Sequence, residues 1–218
     1  MIDRSGHFGQ HQLGRLPHLE AVDLPARKPL EKRKKRIEQV YFIESGFASV
    51  VANGTSKPSI EVGIIGREGM TGLAIVLGSD RAQHATYIQV AGKGLRISAA
   101  RLREADERSI PLHRAMLRYA QAFLAQTTTT ALANGRSKIE ERLARWLLMA
   151  DDRIDGKELP LTHEFLGLML GTHRPGVTIA LQALEKAGLI TTRRSHITIV
   201  DRKALERSSN GTYVRADR

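Results

Sequence analysis

The tract LTHEFLGLMLGTHRPGVTIALQALEKAGLI, residues 161–190, constrains this chain more tightly than any other. Phe165, Leu166, Met169 and Leu170 recur at the spacing of one helix face, behind Thr162, a residue type that caps helix N-termini. Gly171 can take the left-handed conformation that ends a helix in a tight turn. Val177, Leu181, Leu184 and Ala187 then repeat at i, i+4, i+7 and i+10, the pattern of a second helix packing back on the first. Pro175 and Gly176 are poor residues for a helix interior, so they read as a start signal. Proline pushes Arg174 to the edge of the first turn and itself sits at about the first helical position, where its missing N–H costs nothing. The prediction is two helices joined by the turn Gly171-Thr172-His173.

The flanking segments complete the unit. SKIEERLARWLLMADD places Ser137 three residues before Glu140, a capping-box spacing, with Ile139, Leu143, Trp146, Leu147 and Ala150 as its apolar stripe. A short ELP strand follows, and LITTRRSHITIVD closes with two alternating strands around Arg193-Arg194-Ser195. Helix, strand, helix, turn, helix and hairpin is the order of a winged helix-turn-helix. With the apolar stripe turned inward, Arg174, Thr178, Gln182 and Lys186 are expected on the open face, where a polar, basic surface suits the DNA major groove.

Upstream, the pattern is different. Residues 1–12 are polar and expected to be disordered. VYFIESGFASVVANG, SIEVGII, ATYIQVAGKG and LRIS alternate and are punctuated by glycine turns, which predicts a compact β-roll or barrel. Near Leu102 strand signals stop. Pro111 suits a helix's first turn, and Met116, Leu117, Phe123, Leu124 and Leu132 fall at roughly helical spacing. That surface exceeds what one small β-domain needs. A dimer seam through Met116, Leu117, Phe123 and Leu124 is the preferred reading, packing on its own domain the other. Thr127 to Thr130 should weaken the helix, and Asn134-Gly135 reads as its stop and a hinge.

The fold class expected is α+β, with an N-terminal jelly-roll-like β-roll, a long dimerisation helix and a C-terminal winged helix-turn-helix. The divisions are a flexible N-terminus at 1–17, a β-roll at 18–108, a helix and hinge at 109–135, the winged helix at 136–207 and a flexible end at 208–218.

Charge narrows the partners. Net charge is +11, which favours a polyanion, nucleic acid before an anionic membrane surface. Residues 136–218 hold 15 basic and 11 acidic residues, so most of the excess lies upstream. Its densest run, RKPLEKRKKR from Arg27 to Arg36, reads as a solvated loop between strands, an auxiliary phosphate contact being the other reading. Cysteine is absent, which removes disulfides, thiolate catalysis and cysteine-ligated iron–sulfur clusters. The eight histidines lack metal-ligand spacing, so neither metal nor haem is expected, although His84 and His113 lie nearest a possible sensor pocket. No catalytic triad or acid–base pair presents itself, so catalysis is not expected. GREGMTG lacks the lysine-hydroxyl ending of a nucleotide-hydrolysing loop and reads as a β-roll turn. With neither apolar span nor signal peptide, the expected location is the cytoplasm.

EERLARWLLMADDR, ELPLTHEFLGLMLGTHRPGVTIALQALEKAGLI and ITIVDRKALE resemble the C-terminal domain of Crp/Fnr transcription regulators. VYFIESGFASVV and GREGMTG resemble strands and a loop of that family's cyclic-nucleotide-binding-type β-roll, so the resemblance covers about residues 18–207. It implies a homodimer with paired central helices, an effector-sensing β-roll and a domain that reads a palindromic operator in double-stranded DNA. RNA polymerase is a further implied partner. Arg174 matches the family's first base-reading arginine, and Thr162 a phosphate-contacting residue. Arg193 and Arg194 fall in the wing, where backbone contacts are expected. Thr172, His173, Thr178 and Gln182 complete the expected DNA-contacting set.

The departures are specific. Where well-known members carry glutamate and a second arginine, this chain has Pro175 and Ile179, so their target sequence does not transfer. Where cyclic-nucleotide binders carry an arginine with serine or threonine, this chain reads His84-Ala85, with Arg81 nearby but outside the motif. Losing that arginine removes the main anion anchor, so cAMP binding is not expected. Any small-molecule effector is therefore unidentified. The alternative function is a ligand-binding signalling module whose winged helix contacts protein.

Overall fold

The computed structural model describes residues 16, 18–52, 59–156, 158–194 and 196–215. The expected disordered start at 1–12 and the Asn53-Gly54 turn lie outside them. The chain divides into two compact units, one drawn from residues 1–51 and 63–126, the other from 52–62 and 127–216.

In the first unit, β1 (Glu20–Leu24), β3 (Gln39–Ile43) and β7 (Gly92–Ser98) form one sheet, with β7 in the middle. A second sheet runs in the order β2 (Pro29–Glu31), β6 (Ala85–Val90), β4 (Phe47–Ala52), β5 (Ile60–Ile65). β-branched and aromatic residues predominate in β3, β5 and β6, as a pleated, buried surface favours. Val40, Phe42, Phe47, Ile64, Ile88 and Ile97 are buried and form the core of this β-roll. The basic run is partly strand: β2 occupies Pro29–Glu31. The rest is a turn pinned by the Arg36–Asp80 ion pair at 3.4 Å and by Arg81 Nη1 donating to the Lys34 carbonyl at 3.1 Å.

A short helix, α1 (Leu73–Val76), and α2 (Ala99–Arg108) lead to α3 (Ile110–Arg136), a continuous 27-residue helix. It runs through Thr127–Thr130 and through Asn134-Gly135, where the sequence predicts a stop. One glycine costs about 1 kcal/mol in a helix, too little to break one already formed over many turns. Ser137 N–H closes the last turn on the Ala133 carbonyl at 2.9 Å. Ser137 is thus still committed to α3, and the next helix, α4 (Ile139–Asp151), is capped one residue later than expected. Glu141 reaches back to the Lys138 N–H at 3.0 Å, the half of a capping box that a lysine N-cap permits.

The second unit is a winged helix. α4 buries Leu143, Trp146, Leu147 and Ala150, with Trp146 edge-on to Phe165 at 5.5 Å. β8 (Glu158–Pro160), α5 (His163–Leu170) and α6 (Arg174–Lys186) follow, then β9 (Ile190–Arg193), β10 (His196–Ile199) and α7 (Arg202–Ser208). β10 lies between β8 and β9, pairing Ile197 with Leu159 and Thr192. The expected loose end after residue 207 is instead held as far as Tyr213. Arg145 Nε donates to the Thr212 carbonyl at 2.9 Å, and the Tyr213 hydroxyl donates to Asp152 at 2.7 Å. Arg202 bonds Asp152 at 2.6 Å and also engages Asp151, tying α7 to the end of α4. Burial lowers the pKa of the Arg145 guanidinium to about 10, and the Thr212 carbonyl gives an acceptor to a charge that has lost water.

Candidate nucleic-acid interface

Thr162 is the N-cap of α5, its hydroxyl accepting from the Phe165 N–H at 3.2 Å. Gly171 ends that helix with φ 57°, and the Thr172 N–H returns to the Gly167 carbonyl at 2.9 Å. His173 is the N-cap of α6, placing Arg174 first and Pro175 second in the helix. Proline is harmless there too, since its absent N–H would have had no partner inside the helix. Gly176 faces inward rather than outward: a Cβ there would stand 2.9 Å from Thr172 Oγ1. A side chain there would have to displace the Thr172 hydroxyl, so the turn packs closely against the helix's first residues.

The inner face of α6 is Val177, Ala180, Leu181 and Leu184, all buried. Ala187, expected inside, caps the helix and is exposed. Thr178, expected outward, is half-buried and engaged. Its hydroxyl donates to the Arg174 carbonyl at 3.1 Å and so must accept from His163 Nδ1, also at 3.1 Å. It positions α6 against the start of α5. Arg174, Gln182 and Lys186 are exposed as expected, but the outward stripe between them is Pro175, Ile179 and Ala183.

A cleft of about 370 Å³ joins these parts. Thr162, His163 and Glu164 line it from α5, Arg174 and Leu181 from α6, and Thr192, Arg193, Arg194 and His196 from the wing. Arg194 sits at the hairpin tip with φ 43°, and its carbonyl accepts from His196 Nδ1 at 3.2 Å. The Glu185 carboxylate is consumed by the wing, accepting from the Thr192 N–H at 2.8 Å and from its hydroxyl. Among the described residues no ion pair engages Arg174, Arg193 or Arg194. Three guanidinium groups on exposed residues thus border one concavity, an arrangement suited to phosphate oxygens. Thr172 and His173 lie in the turn beside it and do not line it. His163 and His196 are absent from the sequence-based expectation, since isolated histidines carry no sequence signal.

Of the seam expected on α3, Met116 is 1% exposed and belongs to the first unit's core. Phe123 is half-buried, its ring at the place a Cβ on Gly63 would occupy. Leu117 and Leu124 are exposed, with Ile110, Ala131 and Leu132 on the same helix. Ile110, Leu117, Leu124 and Ala131 stand seven residues apart and so lie along one side of the helix.

In the β-roll, the loop from Gly66 to Gly72 faces a carboxylate of the chain itself. Glu31 accepts from the Gly72 N–H at 2.8 Å and from the Thr86 hydroxyl at 2.5 Å. Burial raises its pKa, while those two donors oppose the rise. His84 has its pKa lowered by burial and by Arg33, and Arg81 is turned to the Lys34 carbonyl. These residues do not suit a cyclic phosphate: the loop N–H is already used, and the group using it is an acid. His113 bonds Asp106 at 3.0 Å, and no cluster of three or more metal-binding side chains occurs among the described residues. Nor does any described helix have the length and apolarity to cross a membrane.

Residues 141–208 match the Crp-like helix-turn-helix domain family. No curated protein matches the sequence. Solved structures share the fold at low identity. FixK2 from Bradyrhizobium japonicum superposes with a TM-score of 0.75 at 17% identity, over 87% of this chain and 96% of that one. TTHB099, a CRP-family transcriptional regulator from Thermus thermophilus, gives 0.73 at 16% identity, over 90% of this chain and 100% of its own. CLP, the c-di-GMP-responsive global regulator of Xanthomonas campestris, gives 0.69 at 18%, over 85% and 96%.

Proposed function

We propose that this chain is a homodimeric, sequence-selective DNA-binding transcription regulator of Crp/Fnr type, with the β-roll as its effector-sensing domain. The observation that carries the reading is the convergence of Arg174, Arg193 and Arg194 on one cleft, beside the exposed face of α6. A helix in the major groove and a wing on the flanking backbone would use these groups together. The match of residues 141–208 to the Crp-like helix-turn-helix domain supports the same reading. Division of labour follows from position. Arg174, at the first turn of α6, reaches base edges or the nearest phosphate, Gln182 reaches bases, and Arg193 and Arg194 hold backbone. Thr162, His163 and Thr178 set the geometry. Two such surfaces, about one helical turn apart in a dimer, would recognise a palindrome. Bound there, the protein would act on a promoter by contacting RNA polymerase or by blocking it. The effector is not a cyclic nucleotide held as in cAMP-binding relatives, because Glu31 engages the loop that would face the phosphate.

Fluorescence anisotropy of the full chain on promoter fragments and on random duplexes tests this. The expected result is selective binding that weakens steeply with salt. Arg174→Ala should cost about 1–3 kcal/mol on the preferred duplex and narrow the gap to random DNA. Equal affinity for both at about 0.15 M salt would sink the reading.

A further inference from the structure

The outward stripe of α6 is apolar where DNA readers usually carry hydrogen-bonding side chains. Pro175, Ile179 and Ala183 are all exposed and stand four residues apart, so they form one row on the helix surface. Ile179 is 61% exposed, a large aliphatic side chain that the unit's own packing does not use. Its neighbours on the open side are cationic or neutral: Arg174 before it, Gln182 and Lys186 beyond. Glu185, the carboxylate on this helix, is turned to Thr192 of the wing, and Glu164 lies on the cleft side. An apolar row framed by arginine and lysine matches a polyanion with apolar groups on its accessible edge. In the major groove the one such group is the thymine 5-methyl.

We infer that the row Pro175–Ile179–Ala183 reads thymine methyl groups, with Ile179 the residue that sets this preference. The inference rests on the DNA-binding reading above and deepens it. Residues four apart on a helix are about 6 Å apart along its axis, close to two base-pair steps. Ile179 and Ala183 would therefore contact adjacent or next-but-one thymines in each half-site. Discrimination comes from burying a methyl against an aliphatic surface, while Arg174 and the wing supply affinity.

The test begins with selection of duplexes from a random library by the full chain. Recovered sequences are then resynthesised with deoxyuridine for thymine, one position at a time, which removes the methyl and leaves every hydrogen-bonding group in place. The expected result is a thymine-bearing half-site with about fourfold weaker binding per contacted methyl removed, the value of one buried methyl-sized group. Ile179→Ala, at an exposed position that should not disturb folding, should bind duplexes with thymine or uracil at the position Ile179 contacts alike, while discrimination at the thymine facing Ala183 persists. Selective binding that ignores the exchange would overturn this inference and leave the DNA reading standing. So would discrimination at the Ile179-contacted thymine that survives in Ile179→Ala. If no selected sequence is recovered, both readings fall together, and Ile179 belongs to a surface for protein.

Discussion

At the scale of single residues, the telling groups are those whose partners the sequence does not announce. Glu31 lies in a run of lysines and arginines and reads as one acid in a solvated loop. Folded, it occupies β2 and takes the Gly72 and Thr86 donors. Its folded pKa is raised, chiefly by burial, so proton binding favours the native state. The stability it contributes is present below the unfolded pKa and is lost as pH rises through the folded one. Glu31→Gln should therefore melt higher than the parent at pH 7, with the difference shrinking as pH falls towards 4. Thermal melts across that range check it, and a variant that melts lower at pH 7 would contradict it. Thr178 makes a similar point. Its spacing predicts an outward side chain, but a hydroxyl that back-bonds to the Arg174 carbonyl and accepts from His163 draws it inward.

Among elements, the winged helix is the most legible, because helix stripes, a capping threonine and a glycine turn all name the same arrangement. Helix ends are less so. Ser137 has the spacing to cap α4 but closes α3, and Asn134-Gly135 reads as the stop of a helix that in fact continues. Such boundaries depend on which of two helices claims a shared N–H, a choice set by packing rather than spacing. The open face of α6 differs from expectation for a related reason. Reading outward from arginine by fours gives Thr178 and Gln182, whereas the buried set Val177, Ala180, Leu181 and Leu184 rotates Ile179 to the outside. Thr162 carries an element-scale prediction, since it caps α5 and also lines the cleft. Thr162→Ala should destabilise the protein by about 1 kcal/mol. Thr162→Ser should restore stability and DNA affinity, and Thr162→Asp stability alone, because its charge would repel phosphate. Melting and anisotropy on the same variants separate the two roles. Equal DNA affinity in all of them would show that Thr162 is only a cap.

For the whole molecule, the account requires two copies. The heptad row Ile110, Leu117, Leu124 and Ala131 on α3 is exposed apolar surface at coiled-coil spacing, which Met116 and Phe123, packed in the first unit, do not share. The sequence predicts a seam on this helix but does not tell its two apolar sides apart, since both run at helical spacing. Leu117→Glu with Leu124→Glu should convert a dimer to a monomer in sedimentation at micromolar concentration. It should also weaken DNA binding by well over tenfold, because the second half-site is lost. A parent chain that is monomeric under those conditions would refute the seam. The measurement that most directly tests the central claim is selection of bound fragments from genomic DNA by the full chain, with sequencing of what is retained. The account predicts enriched fragments sharing a palindrome whose half-sites are about one helical turn apart, with the enrichment lost in Arg174→Ala. Retention of fragments without any shared sequence, or of none above background, would contradict it.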